Sequence, residues 1–199
     1  MFCFNTKLSD KLKKVDITKL KEYVVKFIYD NEQDDLKITL NELFDRKGTI
    51  DLYYGILYGR WYDLTTYYYT LPAIIIRSKL RVDDKCDILS YILNKYEFDL
   101  NKKQLRNNNK YFGNVLFETY RACHYININI RIYELLLDHG VKINTIYTYK
   151  QHDTYLRKKM TVLDIYDFHN HTICQKEYCD KIKEYLISKG AKTNKELFQ

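Results

Sequence analysis

Two histidines and two cysteines fall within eleven residues: His169, His171, Cys174 and Cys179. These are the ligand types that hold zinc tetrahedrally. Their spacing, H-x-H-x2-C-x4-C, matches no standard zinc arrangement, and both cysteines lie beside a segment of helical periodicity where thiols simply pack. A polar loop with buried thiols is therefore expected, and no metal is assigned. Five cysteines at irregular spacing point to reduced thiols in a cytoplasmic setting. Nucleophile-elbow, phosphate-loop and H-E-x-x-H patterns are all missing, and six glycines leave little material for a phosphate cradle. The acid pairs Asp34-Asp35 and Asp83-Asp84 stand where helices begin, as caps and turns. Neither catalysis nor a cofactor is expected.

Binding chemistry is better represented. Residues 145–159 carry Tyr147, Tyr149 and Tyr155 with Lys150, Arg157, Lys158 and Lys159, against the single acid Asp153. Tyrosine and arginine are the usual interface anchors, and a long connection either has a purpose or is a solvated loop. A second basic stretch, 101–112, contains Lys102, Lys103, Arg106, Lys110 and Tyr111. Side by side, the two stretches would form one positive edge. A third candidate is Trp61 with Tyr62, flanked by Arg60 and Asp63, inside a block of eight large aromatics in 17 positions (53–69). One core face cannot absorb so many; most are expected to pack in the core, while exposed ones would mark an interaction surface.

The net charge of +7 is carried entirely by residues 101–199, which hold 17 Lys+Arg against 10 Asp+Glu; residues 1–100 hold 16 of each. Such an excess favours a protein partner with an acidic surface. The alternative is a nucleic-acid or nucleotide binder, with tyrosines among the cations stacking on single strands. Solubility alone also accounts for the charge.

Positioning these residues is the task of short helices. Residues 17–30 place Leu20, Tyr23, Val24, Phe27 and Ile28 on one helical face. A polar break is expected at 31–35, then a helix over 36–46 with Leu40, Leu43 and Phe44 inward and Gly48 as its stop. The period of the aromatic block 51–69 is ambiguous between helix and extended chain. The most apolar run, 71–76, is too short to span a bilayer, so no membrane partner is expected. The first residues, Met1 to Lys7, lack the pattern of a cleaved signal.

From about residue 70 the chain repeats itself. The segments 89–101, 132–144 and 182–194 align without gaps, their starts 43 and 50 residues apart. In the last two, apolar residues at the first, fourth and fifth places (Ile132, Leu135, Leu136; Ile182, Tyr185, Leu186) make one helical face. Gly140 and Gly190 follow where a helix ends left-handed, and each segment closes on an asparagine. Glu97 replaces the glycine in the first segment, so that helix must end differently or under roughly 1 kcal/mol of strain. A second helical stretch precedes each: 71–77, 115–123 and 161–166. No single unit buries its own face, so the units should stack.

The segment GNVLFETYRACHYININIRIYELLLDHGVKIN (113–144) resembles an ankyrin repeat, with Gly113 at the turn and Val115-Leu116-Phe117 in place of Thr-Pro-Leu. Residues 160–197 resemble a C-terminal capping repeat with Lys189, Lys192 and Lys195 outward. The unit spacings exceed the usual period of about 33, and no Thr-Pro-Leu-His is intact. The Tyr/Asn/Ile-rich style is similar to host-range ankyrin proteins of large DNA viruses and to ankyrin proteins of A+T-rich bacteria. The resemblance implies an all-α stack of helix-turn-helix units with irregular hairpin fingers over 70–199, preceded by a divergent helical and aromatic segment, 1–69. It also implies a scaffold that binds and masks a partner protein, as a modulator of a host or defence pathway.

Overall fold

The computed structural model describes residues 3–30, 32–47, 54–58, 65–78, 80–102, 105–106, 110–111, 113–123, 130–150, 157–168 and 173–199. These residues are mostly helical. Three helices open the chain: α1 (Cys3–Leu12), α2 (Ile17–Asp30) and α3 (Gln33–Lys47). α2 buries Leu20, Val24, Phe27 and Ile28, and α3 buries Leu36, Leu40 and Leu43 against it. α3 begins inside the stretch expected as a polar break, because Asp34 and Asp35 sit in its first turn, where carboxylates favour the positive end of the helix dipole. From α3, Arg46 donates to the carbonyls of Val15 and Leu12, satisfying the end of α1.

The aromatic block resolves as a ribbon: β1 (Tyr54–Tyr58) pairs antiparallel with β2 (Thr65–Tyr69). Then follow α4 (Leu71–Arg77) and α5 (Val82–Lys95), the short strands β3 (Leu105–Arg106) and β4 (Lys110–Tyr111), and α6 (Val115–Cys123) with α7 (Ile130–Asp138). The ribbon β5 (Tyr147–Lys150) with β6 (Arg157–Met160), the helices α8 (Val162–Phe168) and α9 (Ile173–Ser188), and the turn-length α10 (Asn194–Leu197) complete the chain. The mostly helical content agrees with the all-α expectation, and a few short strands accompany it. β2 also pairs with β3, so two hairpins far apart in sequence join as a four-stranded antiparallel sheet, β1-β2-β3-β4.

The helices pack in rows. α4 lies against α6 and α6 against α8, while α5 lies against α7. α4 buries everything from Leu71 to Ile76, since it has neighbours on several sides. Two asparagines tie successive units. Asn101 donates to the Gly140 carbonyl (3.3 Å) and accepts from the Lys142 N–H (2.7 Å); Asn144 does the same to Gly190 (3.0 Å) and Lys192 (2.8 Å). Gly140 and Gly190 adopt φ of 82° and 87°, and the following N–H groups of Val141 and Ala191 reach back to Leu136 and Leu186, closing both helices with the same left-handed cap. α5 ends without such a residue. Tyr96 turns extended at φ −129°, its N–H on the Ile92 carbonyl, so this helix ends differently from α7 and α9.

Lys85 is fully buried on α5, its ammonium donating to the Ile76 carbonyl at the end of α4 (2.8 Å). Burial pushes its pKa from 10.5 down to about 8. The folded chain thus releases this proton near pH 8, whereas the unfolded chain holds it to about 10.5. Across that window the unfolded state binds more protons, so this group's contribution to stability rises with pH; below pH 8 its penalty is complete. Lys85→Met is expected to unfold at a higher temperature than wild type at pH 7. The gap should close as pH rises through 8 toward 10. Thermal melts at pH 7, 8.5 and 10 check this, and a gap independent of pH would contradict it.

Candidate binding surface at the finger tips

The ribbon β5–β6 shows how one finger is held. Tyr147 and Met160 are register partners at its root, 2% and 5% exposed. The Tyr147 ring lies 5.3 Å from that of Phe117 on α6, and its hydroxyl donates to Asn114 Oδ1 at 2.5 Å. Asn114 Oδ1 also accepts from the Leu116 N–H (3.0 Å), so the same oxygen starts α6 and anchors the finger. Gly113 lies against this ring at φ +140°, where a Cβ would stand 2.4 Å from Tyr147 Cδ1. Burial and the nearby Glu118 carboxylate hold the Tyr147 phenol far above its ordinary pKa, so it remains a donor.

Tyr147, expected as a contact residue, is therefore an anchor. A finger long enough to reach a partner needs a fixed root, and the first ring of the strand supplies it. Strand alternation puts Lys150 and Arg157 in the register set of Thr148 and Lys159, and Tyr149 and Lys158 in that of Tyr147 and Met160. Thr148 and Lys159 are exposed.

The last register pair before the tip is Lys150 opposite Arg157 in this ribbon. In the β3–β4 ribbon it is Arg106 opposite Lys110. In each finger two basic residues are thus register partners. Arg106 is also the register partner of Tyr67 on β2, which ties its strand into the sheet. The remaining expected contacts, Lys103, Tyr155, Trp61 and Tyr62, lie outside the described residues, as do Gly48, His169 and His171. Among the described residues no group of three or more His, Cys, Asp or Glu is placed to hold a metal ion, and no helix is long and apolar enough to cross a membrane. Cys86 and Cys179 are buried.

Sequence patterning missed a second polar cluster, at the seam of α3 and α5. Asn41 Oδ1 accepts from Tyr91 OH (2.9 Å), from Tyr96 OH (2.5 Å) and from the Lys95 ammonium. The only signal for it was the i, i+4 spacing of Lys37 with Asn41 and of Tyr91 with Lys95, which any amphipathic helix shows. Comparison with protein-family models, with curated proteins and with solved structures gave no match.

Proposed function

We propose that this chain is a binding scaffold of ankyrin type, in which stacked helix pairs hold two basic fingers toward an acidic protein partner and mask it stoichiometrically. Three features support the repeat reading: the two helix rows, the asparagine ties between units, and the matched glycine caps after α7 and α9. The paired like charges at both tips carry the binding reading. Like charges at partnered register positions disfavour strand pairing in general, and carboxylates of a partner set between them would relieve it. A finger whose root is pinned by Tyr147 loses little ordering entropy when it binds.

Charge reversal at the tips separates this from simple surface charge. Lys150→Glu faces Arg157 with an opposite charge, and Arg106→Glu does the same to Lys110. Each should stabilise the free protein by about 0.2–1 kcal/mol in urea unfolding. The double variant should lose the protein that wild type captures from a cell lysate. Stability gained while capture is lost is the expected signature. Capture unchanged in the double variant would move the interface away from the tips. Nuclease-sensitive capture with a steep salt dependence would replace the acidic protein by nucleic acid.

A further inference from the structure

The seam between α3 and α5 gathers more donors than it offers acceptors. Asn41 Oδ1 has two lone pairs, yet two phenol hydroxyls and an ammonium converge on it. The Lys95 ammonium also reaches Tyr91 OH (3.3 Å). Lys37 brings a second ammonium from the neighbouring helix, and both ammonium groups sit 5.5 Å from the centre of the Tyr91 ring. Among the described residues neither Lys37 nor Lys95 has a carboxylate within ion-pair distance. Lys95 is exposed, while Tyr91, Lys37 and Asn41 are half-buried, so the cluster opens to solvent. Tyr96, 4% exposed, forms its floor, its ring 4.8 Å from that of Phe44. Burial holds the Tyr96 phenol above its ordinary pKa, which keeps it a donor. Among the described residues the acid whose charge is felt at Tyr96 from outside the cluster is the exposed Asp45, one turn along α3 from Asn41.

We infer that this seam is an oxyanion-binding site for a phosphate group, held by the Lys37 and Lys95 ammonium groups with the Tyr91 hydroxyl as third donor. A tetrahedral oxyanion has the several lone pairs that a single amide oxygen lacks, and its charge answers two cations with no carboxylate partner among the described residues. The site lies on helices α3 and α5, not on the strands of the two fingers, and does not depend on the reading proposed for them.

The test is a titration of the whole protein with inorganic phosphate, followed by NMR at the Asn41 side-chain amide and the backbone amides of 91–96, with chloride at equal ionic strength as control. Saturable shifts confined to these groups, at an affinity on the order of millimolar, are expected with phosphate and not with chloride. Lys37→Gln and Lys95→Gln should each weaken binding about fivefold while leaving the remaining spectrum dispersed, and Asp45→Asn should tighten it. Absence of saturable shifts in the seam overturns the inference, as does binding that is unaffected by both lysine changes. A phosphoserine peptide and adenosine monophosphate, run in parallel, distinguish the source: tighter binding of the peptide assigns a phosphorylated protein, and tighter binding of the nucleotide assigns a free metabolite.

Discussion

Gly113→Ala is expected to lower the unfolding free energy by about 2–6 kcal/mol, the sum of a strained backbone and an overpacked contact. The backbone part arises because φ is +140° there, a region that L side chains rarely adopt. The packing part arises because the new methyl would stand 2.4 Å and 2.6 Å from two carbons of the Tyr147 ring and 2.9 Å from Phe117 Cβ. A flexible tip could swing away from such a methyl. The Tyr147 ring cannot, since its hydroxyl is held on Asn114 and its face on Phe117. The prediction thus tests the anchor as much as the glycine. Urea denaturation of Gly113→Ala, Tyr147→Ala and the double variant forms the cycle. Tyr147→Ala alone should cost about 3–5 kcal/mol, as for other buried aromatics. The double variant should be less destabilised than the sum, because the ring that meets the methyl is gone. Additive losses would mean that the ring and the glycine do not touch.

Arg77→Met should cost about 3–5 kcal/mol, the usual result of deleting one partner of a buried ion pair. The guanidinium of Arg77, at the end of α4, lies 2.8 Å from Glu118 Oε2 on α6, and the Glu118 side chain is fully buried. The same guanidinium sits 4.8 Å above the Tyr69 ring at the end of β2. One side chain therefore joins α4, α6 and the end of β2. Surface pairs such as Lys181–Glu177, with both partners largely exposed, should give less than about 1 kcal/mol by comparison. The change in calorimetric midpoint for Arg77→Met, Glu118→Met and the double variant decides the matter. An apolar double replacement should recover much of the loss, since two charges need no longer be kept out of water. A single-variant loss as small as that of Lys181→Met would show that solvent reaches the pair.

Much of the helical framework was legible because it rests on local rules. The apolar faces of 17–30 and 36–46 are the buried faces of α2 and α3, since periodicity and burial are the same constraint seen twice. Gly140 and Gly190 take positive φ at the helix ends where their spacing placed them, because only glycine does so without strain. The closing asparagines of the repeated segments were visible as a pattern, although their purpose was not. Asn101 and Asn144 reach the backbone of the next unit, a partner roughly forty residues away that no local rule names.

The amino-acid sequence by itself marked most of the helices after residue 17, which of their faces turn inward, and that the positive charge gathers in 101–199. Those properties follow from side-chain volume, periodicity and backbone sterics within a few neighbours. Only the tertiary structure decided that β2 and β3 join one sheet, that Tyr147 is an anchor, and that Lys37, Tyr91 and Lys95 share one seam. Composition cannot separate a tyrosine that docks a partner from one that docks its own helix, because both need a broad apolar ring with a polar tip. The distinction rests on whether Asn114, Phe117 and the bare backbone of Gly113 are there to receive it.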